Sequence, residues 1–228
     1  MRNDYDENPE RFRSGRAVVR RYGTAGDAIE VVARRFAADG LGRIVDLGCG
    51  FGELARWLAG SSVEWVGVDR SRTMLQDAPR RATLADVRHL PFADATFDGA
   101  AAVWMLYHLD DPREGLREAW RVLRPGGLFA AVAPSRYDSP ELAPLLPPEP
   151  PATFDSEIAP AMIGELFVDV EIHAWDGPYV QLPDRAAVHA YLVGRAVDPD
   201  EIERIARAVP VPLAVTKRGA IVYGRRPR

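Results

Sequence analysis

Between residues 43 and 133 the hydrophobic period switches repeatedly between short apolar runs and stretches with a helical repeat. Arg43–Leu47, Val63–Val68, Thr83–Ala85, Asp98–Trp104 and Leu128–Ala133 read as strands. Asp98–Trp104 shows no polar alternation, as expected of a strand covered on both faces. Helices are expected over 52–59, with Leu54, Ala55 and Leu58 on one face, and over 71–78, with Ser71 as N-cap. A third opens at Asp111-Pro112 and turns Leu116, Ala119, Trp120 and Leu123 inward, until Pro125-Gly126-Gly127 breaks it. This rhythm predicts an α/β fold, a doubly wound parallel sheet with right-handed crossovers.

The flanks read differently. The first 40 residues are expected to be helical, with Ile29, Val32 and Phe36 at helical spacing before Asp39-Gly40. Seven of the 19 prolines fall in 134–151, which predicts a stiff surface connection. Beyond it the pattern gives a helix near 155–166, a strand near 168–174, helices near 184–194 and 199–208, and a strand near 219–224. The 228 residues suit one domain: a helical cap over 1–40, a ligand-binding half over 41–134, and sheet completion with substrate-side elements over 135–228.

Composition narrows the class. The longest stretches without charge, 99–109 and 125–135, are too short to span a bilayer, which takes about 20 apolar residues. Residues 1–7 lack the apolar core of a signal peptide. Cys49, the single cysteine, excludes an internal disulfide framework, so a cytoplasmic location is expected. The net charge is only −4 and the cations are spread along the chain, so neither nucleic acid nor membrane is an expected partner. Of the 29 basic residues only Lys217 is a lysine, a skew that fits a GC-rich bacterial coding sequence.

The segment Asp46-Leu47-Gly48-Cys49-Gly50-Phe51-Gly52 links the first strand to the first helix. Glycines there let a ligand approach the backbone beside a positive helix N-terminus. The dinucleotide fingerprint would need a third glycine at 53, where Glu53 stands, so an NAD(P)-dependent oxidoreductase is the less favoured reading. Asp69 closes the second strand, Asp86 follows the third, and Thr96-Phe97-Asp98 precedes the fourth. Arg121–Gly127 precedes the fifth. Taken singly, Asp69 is as well read as a helix cap and Asp86 as a solvated loop acid.

In that order these segments resemble the class I S-adenosylmethionine-dependent methyltransferases, in particular the small-molecule, methyltransferase-11/25-like kind. The resemblance covers 41–134 closely. It implies a Rossmann-like sheet of about seven strands, mostly parallel with an antiparallel last strand, and helices on both faces. It also implies S-adenosylmethionine as cofactor and S-adenosylhomocysteine as product. Asp46, Gly48, Cys49 and Gly50 would then surround the methionine part, and Asp69 would take the ribose hydroxyls. Arg70 and Met74 would lie against adenine, Asp86 and Val87 would meet its polar edge, and Trp104 would border the cofactor. Arg21 and Tyr22 would reach the carboxylate, or else be an exposed charge and a packed aromatic. Cys49 itself reads as a filler of a small space rather than a nucleophile.

The implied reaction moves a methyl group to O, N or C of a small-molecule acceptor by in-line displacement. His108, just past the fourth strand, is the candidate base, with Tyr107 behind it; a structural histidine is the plainer reading. His89, His173 and His189 are scattered, so no metal is expected. Trp175, Tyr179 and Tyr191 offer flat surfaces for a ring-bearing acceptor, and Lys217 reads as a turn residue. The same fold could instead use the cofactor pocket for something other than methyl transfer.

Overall fold

A computed structural model describes residues 6, 8–148 and 150–228; the acidic start at 1–5 and 7, read above as no leader, lies outside them. Helices α1 (Pro9–Tyr22) and α2 (Ala28–Ala38) come first, then β1 (Arg43–Leu47), α3 (Glu53–Leu58), β2 (Glu64–Asp69), α4 (Arg72–Leu75) and β3 (Ala82–Leu84). They are followed by β4 (Phe97–Val103), a short 3-10 turn (Leu106–His108), α5 (Pro112–Val122) and β5 (Leu123–Pro134). The chain ends with α6 (Ala159–Gly164), β6 (Val168–Leu182), α7 (Arg185–Gly194), α8 (Pro199–Ala208) and β7 (Leu213–Arg225).

One seven-stranded sheet runs in the order β3-β2-β1-β4-β5-β7-β6. β1 pairs in parallel with both β2 and β4, β2 with β3, and β4 with β5, while β7 lies antiparallel to β5. The expected sheet is thus present, antiparallel strand included. Strand order reverses direction at β1, since β2 lies on one side and β4 on the other. Such a switch point opens a crevice at the carboxyl ends of the strands.

The described residues form two compact units. The larger comprises Asp27–Arg136, Ala152–Ala174 and Gly219–Arg228. Its core gathers Val45, Leu47, Val68, Phe97, Leu116, Phe129, Phe154 and Phe167, with the rings of Phe129 and Phe167 stacked at 4.8 Å. Asp111 caps α5 by accepting from the Arg113 amide at 3.0 Å, and Gly115, Leu116, Ala119 and Val122 form its buried stripe. The smaller unit comprises the chain up to Gly26, Tyr137–Pro151 and Trp175–Arg218. There Leu142, Val180, Val188, Leu192, Ile205 and Val215 form a core of their own.

Three sequence expectations need correcting. Pro125-Gly126-Gly127 is not what breaks the third helix, which ends at Val122; β5 starts at Leu123 and runs through these residues, with Gly126 at φ +79° and both Gly126 and Gly127 paired with Arg226. The register shift between Phe97 and Gly99 on β4 absorbs the irregularity. Nor is 134–151 a plain surface connection. Its successive turns, with Leu142 N donating to Ser139 O and Leu145 N to Leu142 O, bury Ser139 and Leu142 completely. Finally, β6 and β7 extend to Leu182 and back to Leu213, so Lys217 is a strand residue and not a turn residue.

Candidate functional site

The turn after β1 takes its shape from three glycines with positive φ: Gly48 (+65°), Gly50 (+53°) and Gly52 (+73°). L-residues with a Cβ avoid that region. Space is short as well. A Cβ on Gly48 would lie 2.8 Å from Met105 Cβ, and one on Gly52 would lie 2.4 Å from Pro79 Cδ. Gly50 is pinned from the side, since its amide donates to Asp69 Oδ2 at 2.8 Å. The turn at the end of β1 is thereby tied to the end of β2, and Met105, just past β4, closes on it from the other side.

Asp46 is fully buried on β1, and its Oδ2 accepts from Trp65 Nε1 at 3.0 Å. The indole reaches it across Gly67, where a Cβ would collide with the ring. Burial raises the Asp46 pKa to about 7; the Trp65 bond opposes that rise and the charge of Asp69 adds to it. Cys49 is buried beside it, its Sγ over Gly67, and its amide donates to Val68 O at 3.0 Å. Burial, with Asp46 and Asp69 nearby, pushes the thiol far above its ordinary range, which disfavours a nucleophilic thiolate.

Asp69 also accepts from the Ser71 amide through Oδ1 at 2.8 Å. Ser71 caps α4 by accepting from the Met74 amide at 3.1 Å, which holds Met74 buried with its Cε close to Gly50. Arg70 is exposed. Val87 is buried in the core. Asp86 is held in a fork by Arg88, whose Nε lies 3.0 Å from Oδ1 and whose Nη2 lies 2.6 Å from Oδ2. That pairing depresses its pKa to about 2.

After β4 the chain turns sharply at Trp104, with φ +57° and its amide donating to Val132 O at 3.1 Å. His108 ends the 3-10 turn half-buried, its ring 4.4 Å from that of Tyr107. Arg21 and Tyr22 belong to the smaller unit, where the guanidinium sits 5.3 Å from the ring centroid. Tyr191, proposed above as a flat surface, is buried in that unit with its hydroxyl hydrogen-bonded.

Sequence reasoning missed Trp65, Met105 and Arg88. Gly67 two residues after Trp65 was a usable sign, because it makes room for the ring. Arg88 two residues after Asp86 fits an Asx turn, as the Arg88 amide also donates to Asp86 Oδ1 at 2.9 Å. Met105 had no such sign. Among the described residues no cluster of three metal-ligating side chains occurs, and no helix is long and apolar enough to cross a membrane.

The positive-φ turn thus lies at a sheet switch point, beside an acid closing the next strand, where the backbone can be approached by a ligand. Residues 45–131 match a family model described as a methyltransferase domain. Methyltransferase GfsG of Streptomyces halstedii is 39% identical over 102 residues, covering 39% of this chain and 36% of that protein. The O-methyltransferase resE of Aspergillus sclerotiorum is 37% identical over 113 residues, covering 44% and 42%. The matches thus span less than half the length of these curated relatives. In fold, YcgJ of Bacillus subtilis aligns with a TM-score of 0.67 at 19% identity, over 88% of this chain and 98% of that one.

Proposed function

Residues 45–131 match a methyltransferase-domain model, and from that premise we propose that the chain is a class I S-adenosylmethionine-dependent methyltransferase that transfers a methyl group from this cofactor to O, N or C of a small metabolite. The observation that carries the reading is the 2.8 Å bond from the Gly50 amide to Asp69. It joins the turn suited to the methionine part to the acid suited to the ribose. The bound cofactor supplies a methyl group on a cationic sulfur, a leaving group that needs no protonation.

The protein's own task is therefore positioning and exclusion of water. The Gly48–Gly50 backbone receives the methionine part, with Asp46 and Cys49 filling the floor beneath it. Asp69, at the end of β2, accepts from the ribose hydroxyls. Met74 and Arg70 flank the adenine, the Asp86 carboxylate and the Val87 amide meet its polar edge, and Trp104 borders the site. His108 serves as base where the acceptor must lose a proton before it can attack; a neutral amine attacks without that help and sheds its proton afterwards.

A thermal-shift comparison of S-adenosylhomocysteine with NAD and NADP tests the cofactor. At a hundred times its dissociation constant a ligand adds about 2.7 kcal/mol; stabilisation by the nicotinamides alone would sink the reading. Asp69→Ala should weaken S-adenosylhomocysteine at least about tenfold by calorimetry, the loss expected for hydrogen bonds to a charged group. A metabolite screen for mass gain of one methylene tests the transfer. Cofactor binding with no methylated product across that screen would favour a non-transferring use of the same pocket.

A further inference from the structure

The smaller unit holds a cluster of charged and hydroxyl groups that the cofactor site does not use. Asp138, with its side chain 9% exposed, presents Oδ2 to two cations at once: Lys217 Nζ and, at 3.0 Å, Arg195 Nη1. Its other oxygen accepts from the Arg218 amide at 2.9 Å. Lys217 Nζ also lies 3.2 Å from the Tyr191 hydroxyl and 3.4 Å from Ser139 Oγ, so its three donors are all directed at protein oxygens. Ser139, fully buried with φ +57°, stands 3.3 Å from the Tyr191 hydroxyl.

Charge does not balance here. Two cations share one carboxylate, while Arg218 is engaged by Asp176 at 2.9 Å and Glu141 by the Thr216 amide at 3.0 Å. Lone charges are costly away from water, so a cluster with one positive charge to spare favours a further anion. The open edge belongs to Arg195. Its Nη1 meets Asp138 and Ser139, it also bonds Tyr191, its side chain is 32% exposed, and a guanidinium carries five N–H donors in a fork, more than these partners use. Lys217 adds a compositional hint: in a chain of 28 arginines, the one lysine sits where a compact ammonium must fit among three oxygens.

We propose that this cluster is a binding site for the carboxylate of a small molecule, received by the free edge of Arg195 and charge-balanced by Lys217. A surplus of one charge suits a monoanion, and the flat fork suits a planar carboxylate better than a tetrahedral phosphate dianion. Tyr191 is the internal competitor. Burial works against loss of its proton, yet Lys217 and Arg195 outweigh burial and hold its pKa below the ordinary range. An anion and the Tyr191 phenolate satisfy the same surplus, so each excludes the other. The proposal concerns this unit alone and stands whether or not the protein binds S-adenosylmethionine.

The test is a tyrosinate absorbance titration of the full chain, with acetate exchanged for chloride at constant ionic strength. Tyr191→Phe identifies the Tyr191 step. Acetate is expected to move that step saturably to higher pH, by about one unit for a tenfold linkage, and Arg195→Met should abolish the movement. That variant leaves Asp138 paired with Lys217, a balanced pair, and so is expected to fold; Arg195→Gln provides a second, more polar version. Three results would overturn the proposal: no difference between acetate and chloride, a shift that survives both Arg195 variants, or a shift with inorganic phosphate but none with acetate. Homocysteine-nucleoside binding, measured separately, reports on the other unit and keeps the two readings apart.

Discussion

At Gly48 the backbone takes φ +65°, and the space that a side chain would fill already holds Met105. Two penalties therefore act on Gly48→Ala. The left-handed conformation costs about 1–2 kcal/mol for an L-residue, and overpacking a filled core costs about 1–3 kcal/mol more. We expect chemical denaturation to show a loss of about 2–5 kcal/mol, with S-adenosylhomocysteine affinity falling by at least about tenfold. Wild-type affinity in a destabilised variant would mean that the turn serves the fold and not the ligand. The same scale explains Asp86, whose residue type was legible in the sequence but whose fork with Arg88 was not. An exposed pair of this kind is worth little, so Asp86 can exchange Arg88 for a ligand donor at modest cost, and Glu114 at 4.0 Å offers the guanidinium another partner.

Among the elements, α5 shows how the end of a chain can secure its middle. Arg226, just past β7, places Nη1 3.1 Å from the carbonyls of both Trp120 and Arg121 and also bonds Leu123 O. These carbonyls lie at the helix C-terminus, where acceptors lack intrahelical partners and a cation opposes the dipole. The guanidinium also lies 3.8 Å from the Trp120 ring centroid. Arg226→Met keeps much of the stem but loses these contacts, and should lower stability by about 1–3 kcal/mol in a denaturant titration. A change under about 0.5 kcal/mol would place the cap in the class of ordinary surface substitutions. The turn signal at 125–127 misled for a related reason. Gly126 and Gly127 are paired with Arg226, a residue 99 or more positions along the chain, and local propensity carries no trace of that partner.

For the whole molecule, Asp46 makes stability depend on pH. Its folded pKa of about 7 stands above the ordinary value of 3.8. Between those values the folded state keeps a proton that the unfolded chain has lost, so stability is greatest at the acidic end and falls as pH rises toward 7. At 1.36 kcal/mol per unit the full effect is bounded at about 4 kcal/mol. Urea titrations at pH 5 and pH 8 should show wild-type stability lower at pH 8 by up to about 2.7 kcal/mol, the share that falls between pH 5 and the folded pKa, after Asp46→Asn is subtracted as a pH-insensitive reference. Asparagine keeps an oxygen for Trp65 Nε1. If the two proteins change in parallel with pH, Asp46 is ionised in the folded state throughout and the argument fails.

The sequence by itself determined the winding of the sheet, the place of the glycine turn and the acids after β2 and β3. Each of these is written in local terms: hydrophobic period, backbone freedom, and the residue type at a strand end. What only the tertiary structure decided is how those pieces are held. Trp65 reaches Asp46 because β1 and β2 stand in register, Met105 meets Gly48 because β4 lies beside β1, and Lys217 joins Asp138 and Tyr191 from three separated stretches of chain. Pairing across such separations is set by packing and strand order, which no window of neighbouring residues encodes. That is why the sequence yielded Lys217 as a turn residue, and only the fold made it part of a charged site.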